Sequence, residues 1–316
     1  MKKPPLRLDM PGYDPRDFRG YGRTPPHPEW PNGARIAVQI ALNYEAGGEH
    51  NILYGDAHSE GVLVDAPLPA VPGKRLAYVE SAFEYGARVG AWRLLRILRE
   101  RNVKCSFLAV VQAIEFNPEI AVAAVEHGHE IVGHGYRWID YVDMPEAEER
   151  ELIARSVASI ERITGRRPVG WMSGRPSMNT RRLLVEEGGF LYDRDSLGDE
   201  LPYWVDVAGK SHLCVPYSYE TNDLRCAYPA DFVTSDDYFT YMKDAFDLLY
   251  HEGETQPKML MLALHDRILG RPARAVGFAR LLDYMLGHDR VWFARGDEIA
   301  RHWIARFPAP KRPAPA

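Results

Sequence analysis

Apolar runs of strand length alternate with amphipathic runs of helix length along most of this 316-residue chain, and no other feature restricts the fold as much. Strand-like runs fall at 35–44 (RIAVQIALNY), 104–110, 129–134, 168–173, 189–195, 212–217, 259–265 and 291–294. Between them the apolar periodicity predicts helices over 84–101, 118–127, 145–164, 180–187, 236–251, 272–287 and 297–306. Pro145 and Pro272 stand where a first helical turn tolerates proline, and Gly188 and Gly189 close the short helix before them. Roughly eight β/α units predict a parallel sheet, and without an internal linker they read as one α/β domain with barrel-like closure.

Half of the 24 prolines mark the ends, with eight in residues 1–32 and four in the last nine positions. We therefore expect a packed domain over 34–307 and a disordered tail over 308–316. The Pro-rich arm 1–33 carries Tyr13, Phe18, Tyr21 and Trp30, which suits packing on the domain or on a partner subunit. With 39 basic and 44 acidic residues the charge is nearly balanced, and no basic run suggests a nucleic-acid or membrane surface. A small neutral or anionic substrate fits better. Cys105, Cys214 and Cys226 lack C-x-x-C spacing, which argues against a disulfide framework and a thiolate zinc site and favours reduced thiols in the cytoplasm. The stretch MKKPPLRLDMPGYDP has two lysines but no apolar run behind them, so neither a signal peptide nor an anchor is expected.

Residues 127–138, HGHEIVGHGYRW, nearly spell a helical zinc motif, but His129 and His134 are five apart and Gly133 and Gly135 interrupt any helix. Read as a strand, the segment sends Glu130, Val132 and His134 to one face and His129, Ile131 and Gly133 to the other. Only His134 then reaches the carboxyl end, where folds of this kind place their chemistry.

Six strand ends carry polar candidates for one mouth: Glu45, His134, Arg175, the pair Asp193 and Asp195, His265, and Arg295. Glu45, in LNYEAGGEH, sits between an apolar strand and two glycines, where partial drying would raise its pKa and suit a general base. In isolation it could equally be a loop carboxylate that caps or pairs. His265 closes MLMLALH and, across a mouth from Glu45, is a candidate acid; alone it would more often be a structural histidine. Arg175, in GWMSGRPSMNT, suits either a loop salt bridge or a role in orienting Glu45.

In order, these pieces resemble the polysaccharide deacetylase (carbohydrate esterase family 4) superfamily over about residues 34–300. The matching positions are Glu45, His134, Arg175, Asp193 or Asp195 with downstream Trp204, and LALH ending at His265. The resemblance implies a distorted (β/α) barrel of the polysaccharide deacetylase type. It also implies a divalent metal held by an aspartate and two histidines spaced i, i+4, yet Ala46 and Trp138 occupy two of those three positions. We therefore expect no metal and no cofactor.

Longer stretches, among them RGYGRTPPHPEWPNGARIA, ESAFEYGARVGAWRLLRIL, GHGYRWIDY, RPVGWMSGR and ETNDLR, resemble the metal-independent bacterial allantoinases of that superfamily. That resemblance implies hydrolysis of allantoin to allantoate in purine breakdown by a cytoplasmic homotetramer. Ala46, the GRPSMNT loop and the pair His265–Asp266 depart from the pattern at positions facing the substrate. On this reading Glu45 is the base, Arg175 positions it or holds negative charge, and His265 protonates the leaving nitrogen, with Asp193 or Asp195 fixing its tautomer. His134 binds substrate or water, and Tyr136, Trp138, Tyr44, Asp193 and Trp204 complete the binding set. The alternatives are a metal-dependent N-acetyl sugar deacetylase and a non-catalytic binding member of the superfamily.

Overall fold

The computed structural model describes residues 16–65, 67–227 and 231–310. Its nine-stranded sheet consists of β1 (Ile36–Tyr44), β2 (Ser106–Ala109), β3 (Glu130–Gly133), β4 (Gly170–Trp171), β5 (Tyr192–Asp193), β6 (Tyr203–Val207), β7 (Lys210–Cys214), β8 (Lys258–His265) and β9 (Val291–Ala294). The strand order is β6-β7-β5-β4-β3-β2-β1-β8, with all pairs parallel except β6 with β7. The sheet curls into a half-barrel, and among the described residues no ladder joins β8 to β6 or β7. Residues 215–222 cross that gap instead. Val215 N–H donates to Asp193 O, Tyr217 N–H donates to Ser196 O, Thr221 O accepts from Ala263 N–H, and Asn222 forms a lone bridge with Ala263.

Two strands share one edge of β1. Because β8 pairs along Ile36–Asn43, the other edge is divided between β9, opposite Ile36–Gln39, and β2, opposite Ala41–Tyr44. All nine residues of β1 are buried, as expected of a central strand covered on both faces. Alternation sends Ile36, Val38, Ile40, Leu42 and Tyr44 outward into the main core, while Ala37, Ala41 and Asn43 face inward. On β8, Leu260, Leu262 and Leu264 go outward and Met261, Ala263 and His265 inward. Burying each of these leucines contributes about 1.5–3 kcal/mol.

Helices α1 (Ala77–Tyr85), α2 (Ala91–Glu100), α3 (Val111–Phe116), α4 (Pro118–Glu126), α5 (Glu146–Thr164), α6 (Thr180–Glu187), α7 (Ser235–Glu252), α8 (Pro272–Leu286) and α9 (Gly296–Arg306) supply the outer layer. The helix expected from 84 begins at Ala77, and a π-helical segment over Gly86–Gly90 separates α1 from α2. A Cβ at Gly86 would lie 2.7 Å from the Asp266 carboxyl, and one at Gly90 would lie 2.0 Å from the Asp266 carbonyl oxygen. Glycine at both positions lets this helix lie directly against the turn that follows β8.

No strand is expected over 203–207 from the sequence, and the structure pairs β6 with β7 through Ala208 and Gly209. Both have positive φ, 46° and 86°, the combination a two-residue hairpin turn requires. Of the described part of the N-terminal arm, Tyr21 and Trp30 lie on the domain, whereas Phe18, expected to pack with them, is 79 % exposed. Trp30 Nε1 donates to Lys258 O at 2.9 Å and Tyr21 OH to Pro202 O at 2.5 Å, and Tyr21 packs beside Trp303. The expectations for Tyr13 and for most of the tail fall outside the described residues.

Candidate active site

A cavity of about 250 Å³ opens at the carboxyl ends of β1, β3, β4 and β8. Glu45, one residue past β1, is 1 % exposed and forms its floor. Its Oε1 lies 3.2 Å from His134 Nε2 and 3.5 Å from His265 Nε2, and its Oε2 lies 2.5 Å from Arg267 Nη1. Burial alone would push Glu45 up. Arg267, then His265 and His134, reverse this and hold it well below the usual carboxylate range. Glu45 is therefore a fixed, ionised carboxylate rather than the raised one expected from its dry setting.

Each imidazole is oriented by its second nitrogen. His134 Nδ1 lies 2.7 Å from the carbonyl oxygen of Met172, which can only accept, so Nδ1 carries the donated proton and Nε2 faces Glu45. His265 Nδ1 lies 2.7 Å from Asp223 Oδ1. The other oxygen of Asp223 accepts the backbone N–H groups of His265, at 2.7 Å, and Leu269, at 3.1 Å. Burial works against charge on His265, but Glu45 and Asp223 prevail and raise its pKa to about 9. At neutral pH this site holds an imidazolium hydrogen-bonded to one carboxylate and facing another.

Arg267 is fully buried, with its guanidinium 4.5 Å from the ring of Phe83 and 5.1 Å from that of Trp138. Its Nε donates to Leu63 O at 3.0 Å. Arg175 does not orient Glu45, the role considered for it from sequence; Arg267 occupies that place. Arg175 lies 4.4 Å from the Trp138 ring and 4.0 Å from Glu60, and it lines the cavity. Trp138 thus carries two guanidinium groups at one wall.

Glu45, His134, Arg175, Trp138 and His265 line one cavity, whereas Asp193, Asp195, Tyr136, Tyr44, Trp204 and Arg295 do not. Asp193 cannot fix the tautomer of His265, because its carboxylate binds Arg181 at 2.7 and 3.0 Å and His212 at 3.2 Å. Burial would raise its pKa, but His212 and Arg181 bring it down to about 2. Asp195 accepts the N–H groups of Ser173 and Gly174 and so fastens the loop that presents Arg175; burial and Asp193 push it up to about 6. Tyr44 faces outward by strand alternation, stacks on Phe107 and accepts from Asn117 Nδ2. Tyr136 turns toward α3 and α5, where it bonds Glu115 and Arg155. Trp204 donates to Phe307 O on the far side of the sheet edge. Arg295 follows β9, which reaches only the level of Gln39, so it sits roughly 15 Å below the mouth.

Asn43, Leu63, Tyr217, Tyr219, Asn222, Asp223 and Arg267 join the site without a role expected from sequence. Asn43 lay within reach, since the alternation that turns Tyr44 outward turns Asn43 inward. Tyr217 closes the strand-like run 212–217, of which the ladder keeps only residues up to Cys214, while Tyr219 and Asn222 lie beyond any run the sequence marks.

Residues 74–187 match the family model described as polysaccharide deacetylase. A putative polysaccharide deacetylase of Schizosaccharomyces pombe is 39 % identical over 316 residues, covering 94 % of this chain and 99 % of that protein. The chain belongs to the polysaccharide deacetylase family. Among solved structures, a probable polysaccharide deacetylase from Pseudomonas aeruginosa PAO1 is 50 % identical with a TM-score of 0.91, covering 94 % of this chain and 100 % of that one. The structure of PuuE allantoinase is 48 % identical with a TM-score of 0.92, at the same coverage.

The divalent metal implied for polysaccharide deacetylases does not suit the donors present here. Ala46 offers no ligand atom, and Trp138 is packed against two guanidinium groups where a second imidazole would stand. Arg267 also holds Glu45, placing a fixed positive charge on the nearest carboxylate. Among the described residues no group of three or more His, Cys, Asp or Glu side chains could hold a metal ion.

Proposed function

We propose that this polysaccharide deacetylase family member hydrolyses an amide bond within a small cyclic ureide or amide, allantoin to allantoate being the leading case, without a metal. The observation that carries the reading is the ionised Glu45 held between two histidine Nε2 atoms and Arg267 at the floor of a compact cavity. The 48 % identity with PuuE allantoinase supports the choice of ring substrate.

Water beside Glu45 Oε1 attacks the ring carbonyl carbon and gives its proton to Glu45. The oxygen–carbon bond forms, the ring carbon–nitrogen bond breaks, and His265 Nε2 delivers its proton to the departing nitrogen. Asp223 keeps His265 charged and aimed. Glu45 is held at low basicity, and buried donors around the developing oxyanion offset it by stabilising the charge that forms. Among the described residues Arg175 faces the cavity without a hydrogen bond to a carboxylate, which suits it to that negative charge. His134 orients Glu45 and the water, and Trp138 shapes the wall.

A second reading, deacetylation of an N-acetyl sugar, is supported by the names of the S. pombe and P. aeruginosa relatives. Ring opening of allantoin, hydantoins, dihydropyrimidines and cyclic imides, measured before and after chelation and dialysis, separates the two. Ring opening that survives chelation supports the proposal; acetate release that requires added metal replaces it. No turnover of any amide, with ligands still bound, would make the chain a binding member. A cytoplasmic homo-oligomer is part of the proposal. Three buried cysteines without a disulfide suit that compartment, and sedimentation tests the assembly.

A further inference from the structure

Six described non-glycine residues have positive φ, and of these only Leu63, at 58°, lines the cavity. A leucine in the left-handed region is unfavourable because its Cβ crowds the backbone, and such residues persist only where their surroundings over-determine them. Leu63 is clamped on both sides. Before it, Glu60 Oε1 accepts the N–H groups of Gly61 at 2.9 Å and Val62 at 3.1 Å, and Gly61 O accepts from Leu68 N–H at 2.8 Å. After it, Val64 is buried, and Asp65 pairs with Arg271 at 2.9 Å and with Arg274.

The residue so held does two things. Its side chain packs against the core cluster that contains Trp138 and Phe83, beside the cavity. Its carbonyl oxygen accepts from Arg267 Nε at 3.0 Å, and Arg267 Nη1 in turn holds Glu45 Oε2 at 2.5 Å. We propose that Leu63 is a specificity-determining and positioning residue. Its side chain is the part of the apolar wall that limits the ring's substituents, and its left-handed backbone aims the carbonyl that fixes the arginine behind Glu45. One peptide unit then sets both the size of the ring accepted and the position of the carboxylate it meets. This inference rests on the cyclic-amide reading, and its test keeps the two apart.

The test compares hydantoin with an N-propyl hydantoin on wild type, Leu63→Gly and Leu63→Ala. Glycine adopts the left-handed conformation without cost and removes the wall. We expect L63G to raise kcat/KM for the propyl compound relative to the parent by about 10-fold or more, with the parent's KM rising and its kcat largely kept. L63A should relax selectivity similarly but unfold at a lower temperature than L63G, because its Cβ still occupies the left-handed region. An unchanged ratio overturns the wall, and L63A and L63G of equal activity and stability overturn the backbone role. If wild type opens no ring, the functional reading fails, and thermal-shift titration of the two compounds takes over: preference for the parent in wild type and its loss in L63G supports the proposal. Equal binding of both compounds, or none, overturns it.

Discussion

Glu45 Oε2 and Arg267 Nη1 stand 2.5 Å apart with both side chains withdrawn from solvent, tying the residue after β1 to the second residue after β8. A pair of this kind is expensive to break from one side, because the survivor is left charged and without a partner. Arg267→Ala is expected to lower unfolding free energy by about 3–5 kcal/mol in denaturant titration. Arg267→Lys should lose less stability yet still lower kcat, since an ammonium cannot reproduce the fork that reaches both Leu63 O and Glu45. Unchanged stability in R267A would mean that Glu45 finds another counter-charge.

Glu45→Gln keeps the shape of the floor and removes the proton acceptor of the proposed reaction. Turnover of the ring substrate should fall by on the order of 10²-fold or more while the protein stays folded by circular dichroism. Normal turnover in E45Q would remove Glu45 from the reaction.

Glu45 and His265, the two groups given a proton-transfer role in the proposed reaction, each imply a pH dependence. Glu45, with its pKa held well below the usual range, is ionised throughout the working range, so no acid limb is expected near pH 4–5 from this group. In the proposed reaction His265 acts as the acid, and its pKa is raised to about 9, so its titration should leave activity level through neutrality and lower it as pH rises through about 9. The same raised pKa means that the stability this imidazolium contributes is full below about 6.5 and is lost on the way up through about 9. A kcat/KM profile falling already between pH 6 and 7 would contradict the role given to His265.

Asp223→Asn replaces the anion beside His265 with a neutral amide. The alkaline limb should then move to lower pH, and at pH 8 the rate should drop by on the order of 10²-fold. Titration of the His265 ring by NMR distinguishes this from mere loosening, because a structural effect would lower the rate without shifting the limb.

What the sequence made legible follows strand geometry. Their positions at strand carboxyl ends place His134 and His265 at one mouth, and both line the cavity. Strand alternation, carried along β1, would have exchanged Tyr44 for Asn43. Asp223 and Arg267 escaped because their partners are remote in sequence: Asp223 reaches His265 across 42 residues, and Arg267 reaches Glu45 across 222. Nor could the chain announce that β9 stops halfway up β1, which removes Arg295 from a mouth its strand-end position seemed to promise. The hairpin of β6 and β7 was hidden for a different reason, since alanine stands in its turn where asparagine would have been a clear signal.

The gap between β7 and β8 has one more consequence. Tyr217 and Tyr219 line the cavity on one side of the crossing segment and a second space of about 490 Å³ on its other side. A partition that belongs to no ladder can gain or lose a residue without displacing the register of any strand, whereas Glu45, His134 and His265 are bolted to the ends of ladders. The architecture thus joins three side chains anchored by ladders to a wall that no ladder holds. That is a physical reason for kinship within such a family to speak more clearly about the bond that is broken than about the molecule that carries it.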